Sequence, residues 1–179
     1  MRATWILAAG LIASGLALAA DPDLFPLAVG NRWEYSVENR ADRVIAEVLA
    51  VREIEGKTWF RVRWLDGNHH WLRVDAQRRL VKLDRGQETL WTDFAAPAGE
   101  LYETHIAPCA TGARVVADRG KEGIEIEYPA GGCLDAGLLR EVYVPSVGLK
   151  ERTAVTFVGP VTWTLVSARI GGQQKSFSN

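Results

Sequence analysis

The chain has 179 residues, 47% of them hydrophobic and 24% charged, with 21 basic against 22 acidic side chains and a formal net charge of −1. That length fits one domain with a sizeable core. The balanced charge excludes a general electrostatic attraction to nucleic acid or to an anionic membrane surface.

The first twenty residues, "MRATWILAAGLIASGLALAA", carry one early positive charge at Arg2, an apolar run from Trp5 to Leu18, and small residues at Ala17 and Ala19. This is the pattern of a secretory signal peptide cleaved near Ala19 or Ala20. A spanning helix needs about 20 apolar residues; this run is shorter, and Gly10, Ser14 and Gly15 interrupt it. No cysteine stands at the cleavage point to take a lipid. The sequence therefore predicts an exported protein, periplasmic or extracellular, with no membrane span after cleavage and a single domain over 21–179.

From Asn31 onward apolar and polar residues alternate, and Gly, Asn, Asp or Pro punctuates the chain every ten residues or so. Alternation with period two and frequent turn residues mean antiparallel strands joined by short loops. Twelve strands are predicted, over 32–39, 43–53, 57–65, 69–75, 79–84, 88–94, 101–106, 113–118, 124–128, 138–144, 149–158 and 161–170. The segment "RVIAEVLAVREIE" has a helical composition in part, but Val44, Val48, Val51 and Ile54 are β-branched and hairpin signals flank it, which favours a strand. The expected fold is all-β: one antiparallel meander of about 10–12 strands, forming a sandwich or a partly open barrel. The polar tail "GGQQKSFSN" is expected to fray.

The opening of the domain, "DLFPLAVGNRWEYSV", reads as an entry into that sheet. Pro26 biases Phe25 towards an extended backbone, Gly30-Asn31 favours a turn, and Trp33, Tyr35 and Val37 fall on one face of the first strand. In "KTWFRVRWLDGNHHWLRVDA" a three-residue loop at 66–68 would pair Val62 with Leu72 and Phe60 with Val74, with Asn68 in the left-handed conformation. That register places Trp59, Arg61, Arg63, Trp71 and Arg73 together on the opposite face.

The stretch "FPLAVGNRWEY" resembles the FPLxxGNxWxY opening of a group of exported bacterial proteins and lipoproteins of unknown function. "WLRVD", "ETLWTDFAAPAGELYETHIAPC" and "CLDAGLLREVYVPSVGLKERTAVTFVGPVTWTLVSARIGG" are similar to the body and end of the same group. The resemblance implies an all-β secreted domain and brings no catalytic residues with it.

Cys109 and Cys133 lie in Gly-rich segments of an exported chain, and an even cysteine count there predicts one disulfide. Closing that loop stabilises the fold by roughly 3 kcal/mol on the chain-entropy account. Of the three histidines, His69 and His70 are adjacent in a strand and point to opposite faces, so they do not chelate one ion, and no zinc spacing occurs. His70 is expected at the core edge beside Trp64, with His69 in solvent. His105 and Cys109, four residues apart along a strand, stand roughly 13 Å from each other, against the roughly 3 Å that proton transfer requires. Only a tight turn at Pro108 would bring them together. Alternation explains Glu125 and Glu127 as the wet face of a strand rather than a glycosidase pair. The chain after the leader has no nucleophile elbow, phosphate loop or dinucleotide fingerprint.

These features favour a non-enzymatic binding or structural module of the cell envelope, with no cofactor and no metal. The face of Trp59, Arg61, Arg63, Trp71 and Arg73 is the candidate ligand surface, suited to a polysaccharide or an aromatic or anionic group. Against this, Arg63 could cover Trp71 as a cross-strand pair, or a second layer of the fold could bury the face. The alternative function is a periplasmic carrier of an apolar or amphipathic small ligand in a pocket lined by Trp33, Tyr35, Phe60 and Trp64. An undetected hydrolase is the third.

Overall fold

The structure is a computed structural model that describes residues 23–107, 109–118, 120–129 and 136–177. Thirteen strands follow in order: β1 Arg32–Val37, β2 Arg43–Ile54, β3 Lys57–Arg63, β4 His69–Val74, β5 Arg79–Asp84, β6 Gln87–Asp93, β7 Leu101–Ala107, β8 Ala110–Asp118, β9 Ile124–Glu127, β10 Gly137–Val144, β11 Gly148–Thr156, β12 Gly159–Ile170 and β13 Gln173–Ser176. Among the described residues a single 3-10 turn, Gly120–Glu122, interrupts them. The fold is all-β, as the alternation requires, and each of the twelve predicted strands is present. The tail differs from expectation. After a turn at Gly171-Gly172, β13 pairs with the end of β12, Ile170 opposite Gln173 and Ser167 opposite Ser176. Backbone pairing overrides the polar composition that suggested fraying.

Each strand pairs antiparallel with its neighbour in the meander, and β1 also pairs with β12, Trp33 lying opposite Ala168. The sheet therefore curls into a barrel whose two ends are β6 and β7. Side chains rather than a ladder bridge that seam. Thr104 Oγ1 lies 2.7 and 2.8 Å from the carbonyl oxygens of Leu90 and Trp91, and Tyr102 OH lies 2.7 Å from Thr92 Oγ1. Strand alternation sets the turns after odd-numbered strands at one end of the barrel and those after even-numbered strands at the other.

The opening stretch closes the even end. Phe25 is buried, stacks on Trp33 at 5.4 Å between ring centroids, and meets Trp64 and Tyr143 edge-on. Trp33 is wholly buried, and its indole N–H donates to the Val147 carbonyl at 2.6 Å; the Tyr35 hydroxyl donates to the Leu149 carbonyl at 2.8 Å. Asn31 fixes the turn, its amide donating to the Pro26 carbonyl while its Oδ1 accepts from the Gly171 N–H. A Cβ on Gly148 would lie 3.1 Å from Trp33 Nε1 and 3.3 Å from the Phe25 ring, so that turn meets the stack only as glycine. Trp33, Tyr35 and Val37 share the buried face of β1, as the alternation predicts.

The β3–β4 hairpin has the predicted parity and a register shifted by two. Phe60 pairs with Leu72 and Val62 with His70, and the Trp64 N–H donates to the Asn68 carbonyl, so the loop is 65–67. Gly67, at φ +79°, holds the left-handed position expected for Asn68, because glycine adopts it without a Cβ clash. Leu65 thereby turns into the core.

Removal of the Trp33 side chain deletes a buried ring and a hydrogen bond at once. Trp33→Ala is expected to lower stability by about 3–5 kcal/mol in urea denaturation; an unchanged midpoint would mean that the ring is not a core element.

Candidate functional site at the barrel mouth

Among the described residues the core contains one fully buried charged residue, Glu141, on β10. Its Oε2 accepts from the hydroxyls of Tyr128 at 2.7 Å and Tyr143 at 2.8 Å, and its Oε1 accepts from Arg152 Nη1 at 2.7 Å. Two bulges turn both partners of the ion pair inward. On β10, Leu138 faces Ala154 while Arg140 faces Thr153, so Leu139 is the extra residue; on β11, Tyr143 faces Leu149 while Val142 faces Glu151, so Lys150 is the extra residue. Each bulge flips the alternation by one, and Glu141 and Arg152 then meet as a directly opposed pair on the inner face.

Arg152 lies among indoles. Its guanidinium carbon is 5.9 Å from the Trp64 ring centroid and 6.0 Å from that of Trp91, and the two rings meet edge-on at 4.8 Å. His70 packs edge-on against Trp91 at 5.8 Å. Lys82 joins the same inner face, because it pairs with the core residue Leu72. It contacts Asp84 at 3.8 Å, and Asp84 is exposed at the rim. His70, Lys82 and Arg152 keep 21%, 16% and 14% of their side-chain surface exposed, which marks this as the mouth of the barrel, above the plug.

The mouth has more donors than acceptors. Trp64 Nε1 and Trp91 Nε1 are buried with no hydrogen-bond partner among the described residues. Arg152 uses one N–H, towards Glu141. A buried donor without a partner costs about 1–3 kcal/mol, so such groups call for an acceptor. Burial lowers the pKa of His70, and the charges of Lys82 and Arg152 lower it further, while Asp66 and Asp84 oppose the shift. Burial, followed by the charge on Glu141, raises the hydroxyls of Tyr35, Tyr128 and Tyr143 well above their usual pKa.

The predicted ligand face is on the outside of the barrel. Trp59 is buried beneath Arg73, whose guanidinium lies 5.2 Å from its ring, and Trp71 sits beneath Arg52 at 5.7 Å. Arg63 does not cover Trp71; it bonds Glu47 at 2.8 Å. Arg73 is held by Glu88, whose carboxyl is kept below its usual range first by the hydrogen bond from Lys57 and then by Arg73. Arg61 alone of the five is exposed. Intramolecular cation–π pairs thus occupy both tryptophans of the expected surface.

The other expected groups are dispersed. The pocket residues Trp33, Tyr35 and Trp64 are buried in the core, and Phe60 packs against it. His69 is exposed and His70 turns inward, as their adjacency predicts, with Trp91 rather than Trp64 as the direct neighbour of His70. His105 is exposed and bonds Glu103 at 2.9 Å. Glu125 and Glu127 face outward to Arg140 and Arg114. Cys109 occupies the tight turn between β7 and β8 and is not a free thiol; Cys133 lies outside the described residues, as does the leader. Among the described residues no three His, Cys, Asp or Glu side chains form a metal-binding group, and no helix is long and apolar enough to cross a membrane. Sequence reading missed Glu141, Arg152 and Lys82. Glu141 and Arg152 are hidden by the bulges, whereas Lys82 is two residues from the buried Leu80 and was legible in the alternation.

Comparison with known family models, with curated proteins and with solved structures finds no match.

Two predictions rest on this centre. Arg152→Met is expected to cost about 3–5 kcal/mol by leaving Glu141 buried and unpaired, and Glu141→Leu with Arg152→Met to cost less than the single change. A double-mutant cycle by chemical denaturation checks the order; a double variant less stable than Arg152→Met would refute it. For His70, the folded-state pKa lies below the unfolded value of about 6.5, so the unfolded chain takes up the proton first. Its contribution is complete above that pH and is lost as pH falls through the folded-state value. His70→Gln is expected to flatten the stability profile below pH about 6.5 in urea titrations, and an unaltered slope would count against burial as the cause.

Proposed function

We propose that the protein is an exported, non-enzymatic binding module of the cell envelope that takes an acceptor-bearing ligand at the mouth of its barrel. The surplus of donors there carries the reading: two buried indole N–H groups, the remaining N–H groups of Arg152, and the Lys82 ammonium. A ligand oxygen would supply the acceptors that the described side chains do not. Export rests on the leader, and oxidation in that compartment would pair Cys109 with Cys133.

The carrier alternative is less well supported, because aromatic side chains fill the position of its expected pocket. Depressions on the outer face, such as one of about 620 Å³ lined by Val116, Tyr128, Pro129 and Leu139, lie on the opposite side of the sheet from the donors.

Thermal shift against a mixed panel of organic anions, amines, neutral amides and oligosaccharides tests the reading, since a ligand that binds only the folded state raises its melting temperature. At least one acceptor-bearing class is expected to stabilise the parent and to lose that effect in Lys82→Met. A panel without effect, or effects that Lys82→Met leaves intact, would overturn it.

A further inference from the structure

We propose that the β11–β12 hairpin seats the protein on a lipid bilayer, with its turn entering the interface as an apolar tip. Phe157 and Val158 form that turn and are 90% and 91% exposed. Turns are normally built from Gly, Asn, Asp, Ser or Pro. The two-residue connections Glu55-Gly56, Arg85-Gly86 and Gly171-Gly172 use glycine in that way and hold both residues at positive φ. Between β11 and β12 the positive φ falls instead on Gly159, at +109°, which frees the two tip positions for any side chain. They carry a phenylalanine and a valine, neither of which gains packing there.

The tip stands clear of the barrel. β1 reaches the hairpin only as far as Val37 opposite Trp163, and β10 begins with Gly137 opposite Val155, so no described strand flanks the last rung, Thr156 opposite Gly159. A Cβ on Gly159 would meet nothing within 4 Å. No charged residue occurs between Arg152 and Arg169. The flanking charges, Glu38 beside Thr162 and Arg140 opposite Thr153, lie at one level, and beyond it roughly 13 Å of hairpin is uncharged. An interfacial seat needs about 5–10 Å. Polar groups in that stretch bond one another: the Thr156 hydroxyl donates to the Gly159 carbonyl at 2.8 Å and accepts from the Val158 N–H at 3.3 Å. An apolar medium leaves those groups satisfied. Convexity decides between occupants. Two side chains at a turn offer far less than the roughly 800 Å² per partner that a stable protein interface buries, whereas a bilayer closes around any protruding apolar point. The other described turns at this end carry both signs, at Glu38, Arg40, Asp42, Asp66 and Arg85, so no basic cluster selects an anionic lipid.

Flotation of the full exported protein with phosphatidylcholine vesicles tests this. Half-saturation is expected on the order of 1 mM lipid. It is expected to be unchanged by about 0.5 M salt and no tighter with phosphatidylglycerol vesicles. Phe157→Ser with Val158→Ser is expected to weaken flotation at least about tenfold, at a parental melting temperature because both side chains are exposed. Val29→Ser and Leu101→Ser, at exposed apolar residues elsewhere, are expected to float like the parent. No flotation, flotation that needs phosphatidylglycerol and is lost in salt, or equal flotation by the double variant overturns the proposal. A lowered melting temperature of the double variant overturns it too, since the turn would then pack on the protein. So does a dimer in sedimentation that the double variant converts to monomer, because a second copy would then cover the tip. Lipid seating is independent of the barrel-mouth ligand: flotation and the thermal-shift panel can fail separately.

Discussion

The pairing of Glu141 with Arg152 inside the barrel is the constraint around which the rest of the structure is arranged. A carboxylate with no exposed surface is tolerable only when donors surround it, and here two tyrosine hydroxyls and a guanidinium do so. Regular alternation along β10 and β11 would not bring both partners inward together with Leu138 and Leu149. The bulges at Leu139 and Lys150 resolve that conflict and bracket the pair within three rungs of the ladder. Tyr128 must then stand just beyond β9, and Tyr143 two residues along from Glu141, to reach the same oxygen.

Below this polar layer the barrel is closed by aromatics that the chain supplies before its first strand. Phe25, Trp33, Trp64 and Tyr143 form a continuous set of ring contacts, and hydrogen bonds from Trp33 and Tyr35 reach the carbonyls of Val147 and Leu149. The segment that leads into the sheet therefore acts as a plug. The β6–β7 seam is bridged by the side chains of Thr104, Thr92 and Tyr102 rather than by a ladder.

The outer and inner faces use the same residue types. Outside, Arg73 covers Trp59, Arg52 covers Trp71, and Lys57 and Glu88 complete the arrangement. Inside, Arg152 lies beside Trp64 and Trp91, and the indole nitrogens are left without acceptors among the described residues. Buried donors without a partner among the described residues thus occur on both faces, at Arg63 Nε and Arg73 Nε outside and at Trp64 Nε1 and Trp91 Nε1 inside.

Strand positions, the antiparallel meander and the inward face of β1 were determined by the sequence alone, because alternation and turn residues act over two to ten neighbours. The split of His69 from His70 and the common face of Trp59, Arg61 and Arg63 follow from the same parity. Tertiary structure decided what parity cannot encode. It closed β1 onto β12, paired the polar tail as β13, and moved the β3–β4 loop so that Gly67 took the left-handed position. It also placed Glu141 and Arg152 inward, since a bulge depends on what the neighbouring strand and the core require and shifts every later side chain to the other face. The candidate site was hidden for that reason: its central pair has the local pattern of solvent-facing charges, and only burial against the tyrosines and indoles distinguishes it.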